Sequence, residues 1–72
     1  MDTKVEVTVR SYHDGYRTSR VEGMQASCAI GPEAAVLKLA RKLFTHYRVE
    51  LLESYPHGTN GNIVGRWEIA EE

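Results

Sequence analysis

Val5, Val7 and Val9 take every second place in TKVEVTVRSY (residues 3–12), and Lys4, Glu6, Thr8 and Arg10 fill the places between them. Side chains of an extended chain point to alternate sides, so β-branched residues at period two define a half-buried strand. One side of that strand must be covered by something else within the 72 residues of the chain. A chain of this length makes one domain, residues 1–72, and buries only about 60% of the surface its unfolded form exposes, so its core is small.

A turn follows the strand. In YHDGYR (residues 12–17), a three-residue loop His13-Asp14-Gly15 places glycine where a left-handed residue is needed. That loop sets Tyr12 opposite Tyr16 and Val7 opposite Val21, apolar against apolar. The second strand then runs over about 17–29, and its phase slips: Val21 is on odd numbering, Met24, Ala26 and Cys28 on even. One extra residue at Glu22-Gly23 repairs the phase, which predicts a β-bulge there.

Residues 32–46 read as a helix. Pro32 suits the first helical position and Glu33 complements the dipole at that end. Val36, Leu37, Leu39, Ala40, Leu43, Phe44 and Tyr47 fall within an arc of roughly 160°, opposite Lys38, Arg41, Lys42 and Thr45. Two further strands are expected at 48–55 and 62–70, joined by the loop PHGTNG. A plausible register pairs Val49 with Ile69, Leu51 with Trp67 and Tyr55 with Ile63, and it sets Glu50 opposite Glu68, which is unfavourable. The expected fold is α+β, β-β-α-β-β: two layers, a four-stranded, mainly antiparallel sheet with one amphipathic helix on one face. The other face stays open.

Composition narrows the function classes. Hydrophobic residues make up 42% and charged residues 26%, the balance of a globular domain. Cys28 is the single cysteine, so no internal disulfide forms, and a reducing, cytoplasmic location is the default. No apolar run approaches the roughly 18 residues that span a membrane, and MDTKVEV carries no signal-peptide pattern. Cys28, His13, His46 and His57 lack the spacing of metal ligands. Net charge is −1 but uneven: residues 1–48 sum to +3 and residues 49–72 to −4. A dedicated nucleic-acid binder is usually more basic, so two surfaces of opposite sign are expected.

No catalytic constellation emerges. Cys28 reads as a small core residue, His46 as a cation at the helix C-terminus, and His57 as part of a hairpin loop. Glu50 and Glu53, three apart on a strand, fall on opposite faces and cannot act as a carboxylate pair. No cofactor motif is present. The candidate partner-binding residues are Arg10, Tyr12, His13, Tyr16, Arg17 and Arg20 around the first hairpin, where arginines interleave with aromatic side chains. A second basic patch, Lys38, Arg41 and Lys42, lies on the exposed helix face.

Two resemblances bear on the partner. GPEAAVLKLARKL is similar to the run into the alanine-rich helix of double-stranded-RNA-binding domains. However, Gly31, Pro32 and Glu33 stand where that family has lysines, and its opening helix is missing. Over most of the chain, VEVTVRSYHDGYRTSRVEG, GPEAAVLKLARKLF and YRVELLESY together resemble in layout the very small β-β-α-β-β proteins of phages and mobile elements, the anti-CRISPR type. That resemblance implies a stoichiometric inhibitor docking on a host protein or nucleoprotein complex, and it carries over no individual residue. The expectation is a non-catalytic binding protein. The alternative is a small nucleic-acid-binding module. Self-association into a homodimer would relieve the small core.

Overall fold

The computed structural model describes residues 3–55 and 61–72. In chain order the elements are β1 (Lys4–Tyr12), β2 (Gly15–Thr18), β3 (Ser27–Cys28), α1 (Pro32–Leu43), β4 (Tyr47–Ser54) and β5 (Ile63–Glu71). The strands form one antiparallel sheet in the order β3-β2-β1-β5-β4. The valine-alternating segment is therefore its centre. Val7 and Val9 are fully buried and join Trp67 and Ile69 of β5 and Val36, Leu39 and Ala40 of α1 in the core.

The sheet has five strands where four were expected, because residues 17–29 do not make one strand. Glu22 (φ 50°) and Gly23 (φ 79°) both take left-handed conformations, and Val21 and Met24 exchange two backbone hydrogen bonds of 2.8 Å around them. Two consecutive positive φ values mark the tight turn that joins antiparallel segments. The expected β-bulge at Glu22-Gly23 is thus a reversal of the chain. It brings Ser27 opposite Arg17 and Cys28 opposite Tyr16. Thr18 anchors the fold-back: its N–H donates to the Ala26 carbonyl at 2.9 Å, and its buried hydroxyl accepts the Ala26 N–H at 3.0 Å.

The first hairpin is one residue tighter than expected. Tyr12 pairs with Gly15, Ser11 with Tyr16 and Val9 with Thr18. Tyr12 does not face Tyr16, nor Val7 Val21. Gly15 belongs to β2, at φ +141°, where a Cβ would stand 3.0 Å from the Ala29 Cα and from the Cys28 carbonyl oxygen. Glycine is required there because the chain passes against it.

α1 starts on Pro32 and carries Glu33 in its first turn, Arg41 and Lys42 in its last. It ends at Leu43, short of residue 46. Phe44 is extended (φ −136°, ψ 153°), although its N–H still bonds Ala40. Tyr47, expected on the helical stripe, opens β4. Leu43, Phe44 and Tyr47 all pack against the core, so the apolar periodicity ran on after the helix had stopped. Ala35 is buried where Leu37 was expected inside; Leu37 is 38% exposed. His46 lies beyond the helix, and its carbonyl accepts the Glu72 N–H at 3.0 Å.

The register of β4 on β5 is as expected at Val49–Ile69, Glu50–Glu68 and Leu51–Trp67, and then shifts by one between Leu51 and Glu53. Leu52 is the extra residue, and Tyr55 bonds Val64 in place of pairing with Ile63. The loop 56–60, with His57, lies outside the described residues.

Candidate binding surface

Register decides which hairpin residues share a side. Arg10 sits opposite Arg17 and Tyr12 opposite Gly15, while Ser11–Tyr16 and Val9–Thr18 alternate with them. Arg10, Tyr12 and Arg17 therefore share the side away from Val9, and all three are exposed. The Arg17 guanidinium lies 4.9 Å from the centre of the Tyr12 ring, within cation–π range. It also meets Asp14 at 3.4 Å, a solvated pair worth little energetically. Tyr16 is turned the other way and packs against the core. His13 is exposed in the turn, and Arg20 is exposed just past β2.

The second basic patch is closer to the first than sequence alone indicates. Lys42 donates to the Gln25 carbonyl at 2.9 Å and Lys38 to the Ser27 carbonyl at 3.3 Å. The lysines thereby cap carbonyls along the outer edge of the sheet, Lys38 on β3 and Lys42 on the segment just before it. Arg17, Lys38 and Lys42 line a single open cleft with Gln25, Ala26 and Ser27. Arg41 is exposed beside the two lysines. The segment after the fold-back at Glu22-Gly23, residues 25–27, forms the wall that the hairpin's Arg17 shares with the helix lysines.

At the β1-β5-β4 end of the sheet, carboxylates stand interspersed with Lys4, Arg48 and Arg66. Glu6 faces Glu68, and Glu68 faces Glu50, so three carboxylates stand in a row across β1, β5 and β4. The shift at Leu52 brings Glu53 onto the same side, opposite Arg66. Glu50 and Glu53 share a face after all, because a bulge restores the phase that an odd separation breaks. Arg66 bridges the group, at 2.6 Å from Glu6 and 3.1 Å from Glu53. The Tyr55 hydroxyl also donates to Glu53. That hydrogen bond, with Arg66 beside it, holds the Glu53 carboxyl below its ordinary value of 4.5. In return, the bond to Glu53 pushes the Tyr55 hydroxyl above its ordinary 10.0. Glu6 and Glu68 escaped sequence reading as neighbours because their pairing depends on β1 lying beside β5, which local periodicity does not encode.

Cys28 is a free thiol, 7% exposed. Among the described residues no group of three His, Cys, Asp or Glu side chains is placed to hold a metal ion, and no helix is long and apolar enough to cross a membrane. Compared with protein-family models, curated proteins and solved structures, the chain finds no match.

Proposed function

We propose that this protein is a small non-catalytic binding protein that acts by covering a surface of a host protein or nucleoprotein complex, with the basic flank as its contact. The observation that carries the reading is the shared cleft of Arg17, Lys38 and Lys42, with Tyr12 held beside Arg17. Arginine and tyrosine on a rigid strand are the residues that concentrate binding energy at interfaces. A flank of one charge sign speeds encounter with a partner of the other sign. The matching partner surface is acidic or phosphate-bearing. The layout resemblance to anti-CRISPR proteins supplies one such partner class, a host nucleoprotein complex in the cytoplasm. In this reading α1 forms a layer over one side of the sheet and leaves the Arg10, Tyr12 and Arg17 side free.

A pull-down from the natural host tests it. Wild-type protein should retain a defined complex, and a variant carrying Arg17→Glu and Lys38→Glu should lose it while keeping its circular-dichroism spectrum. Retention of the same complex by the variant overturns the assignment. Tyr12→Ala should weaken capture without loss of stability. Tyr16→Ala, in contrast, should lower stability, since that ring packs on the core.

The same three cations beside an aromatic ring favour a second reading, a small nucleic-acid-binding module that contacts phosphates and stacks a base. Its affinity would fall steeply with salt. No retardation of duplex or single strands at low salt eliminates it and leaves the protein partner.

A further inference from the structure

β4 is an outer strand of the sheet, and its open side matches a copy of itself. The Glu72 N–H donates to the His46 carbonyl, and Arg48 and Glu50 lie opposite Ala70 and Glu68 in the same ladder. Residues of an antiparallel ladder alternate between turning their backbone groups toward the partner and away from it. His46, Arg48 and Glu50 thus bond toward β5, and Tyr47, Val49 and Leu51 turn N–H and C=O to the outer edge, which is free among the described residues. Their side chains lie on the Ile69–Trp67 side, where Leu51 is 52% exposed. Arg48 and Glu50, on the other side, flank Val49 with opposite charges.

We propose that the chain forms a two-fold dimer by antiparallel pairing of β4 with β4 of a second copy, centred on Val49. In that register Val49 meets Val49 of the copy, Tyr47 meets Leu51 in both directions, and Arg48 meets Glu50 in both directions. The pairing makes about six backbone hydrogen bonds, all from groups that now face the free edge. A two-fold antiparallel pairing keeps side chains on their own face only if the register moves in steps of two. The neighbouring registers set Arg48 against Arg48 or Glu50 against Glu50, so charge selects the central one. Charged side chains usually guard an outer strand against pairing. Here the same two charges repel other registers and complement this one. The bulge at Leu52 ends the regular stretch, so the interface is short and belongs to the weak end of specific contacts.

Sedimentation equilibrium on the full chain over a wide concentration range, with charge-swap variants, tests the proposal. Wild type should show a reversible monomer–dimer equilibrium. Arg48→Glu alone sets glutamate against Glu50 and should weaken dimerisation by about tenfold. Glu50→Arg alone sets arginine against Arg48 and should do the same. An equimolar mixture of the two variants should recover the wild-type affinity, because each supplies the charge that the other lacks. Both positions are exposed, and circular dichroism checks that each variant folds. A wild type that stays monomeric up to about 1 mM overturns the proposal and leaves the edge to a strand of another protein. A dimer indifferent to both single swaps, or a mixture no tighter than its components, overturns the register and with it the interface.

Discussion

The Trp67 indole lies against the backbone of Gly65, two residues earlier in β5, so closely that a Cβ on Gly65 would stand 2.8 Å from ring atom Cζ3. The Glu53 carbonyl oxygen would be 2.9 Å away on the neighbouring strand. Glycine in a strand interior normally weakens it. Here its missing side chain is the slot into which the largest core residue folds. Gly65→Ala removes backbone freedom from the unfolded chain, which by itself would stabilise by about 0.4–1 kcal/mol. Against that stands a clash with a ring and a backbone oxygen, and the oxygen cannot move by a rotamer change. Overpacking of this kind costs about 1–3 kcal/mol, so net destabilisation is expected, read as a lower urea midpoint with tryptophan fluorescence as the probe. An unchanged or raised midpoint would show that the slot is not tight.

Glu68 is the middle of the row Glu6–Glu68–Glu50 and faces a carboxylate on each side. Like charges directly opposite on adjacent strands destabilise, and opposite charges contribute roughly 0.2–1 kcal/mol per pair. Glu68→Lys converts two repulsions into two attractions without touching the buried side of β5. The expected outcome is a gain of about 1 kcal/mol at low salt, shrinking as salt is added. A loss of stability at low salt would contradict the row.

Glu53 gives stability a dependence on acid. Its carboxyl titrates below the ordinary 4.5 in the folded chain, chiefly through the Tyr55 hydrogen bond. The folded state therefore binds this proton less tightly than the unfolded state does. The contribution is complete above the unfolded value and is lost as pH falls through the lower, folded value. Wild type should lose stability more steeply than Glu53→Gln between about pH 5 and 3 in urea titrations, and the two should run parallel above pH 6. Tyr55→Phe removes the principal cause and should flatten the wild-type slope. An equal slope in all three proteins would remove Glu53 from the acid response.

Periodicity alone makes β1, most of α1 and the Val49–Ile69, Leu51–Trp67 register legible, since alternation decides which residues share a side. Three features were hidden for different reasons. The helix stop at Phe44 lacks glycine or proline, and apolar residues continue through Tyr47 because the next strand buries them against the same core. The phase slip at Glu22-Gly23 was visible, but a bulge and a reversal give the same slip. The two left-handed residues, the Val21–Met24 bridge and the pairing of Tyr16 with Cys28 separate them. The basic flank is not legible in the sequence, because Arg17 shares a cleft with Lys38 and Lys42 only across the segment that the reversal folds back, residues 25–27. Its members are legible, but their meeting is not, and the one-residue tighter hairpin puts Tyr16 on the core side, opposite Ser11 and not Tyr12.

Thr18 tests the reversal directly. It is 2% exposed, a buried polar residue opposite Val9 of β1 and bonded to Ala26. Its hydroxyl accepts the Ala26 N–H at 3.0 Å, while its own N–H and carbonyl bond the Ala26 carbonyl and the Gln25 side chain. Thr18→Val keeps the shape and leaves a buried N–H without its acceptor, at a cost of about 1–3 kcal/mol. Thr18→Ser keeps the acceptor and removes one methyl group, at about 0.8 kcal/mol. Valine should therefore be the worse replacement, although it is the better strand former and the more apolar residue. Hydrogen exchange should report the same order locally, with the Ala26 amide losing protection in Thr18→Val and retaining most of it in Thr18→Ser. If valine proves as stable as threonine, the chain between Arg17 and Ser27 is held by apolar packing, and the hydroxyl has no part in folding β3 onto β2.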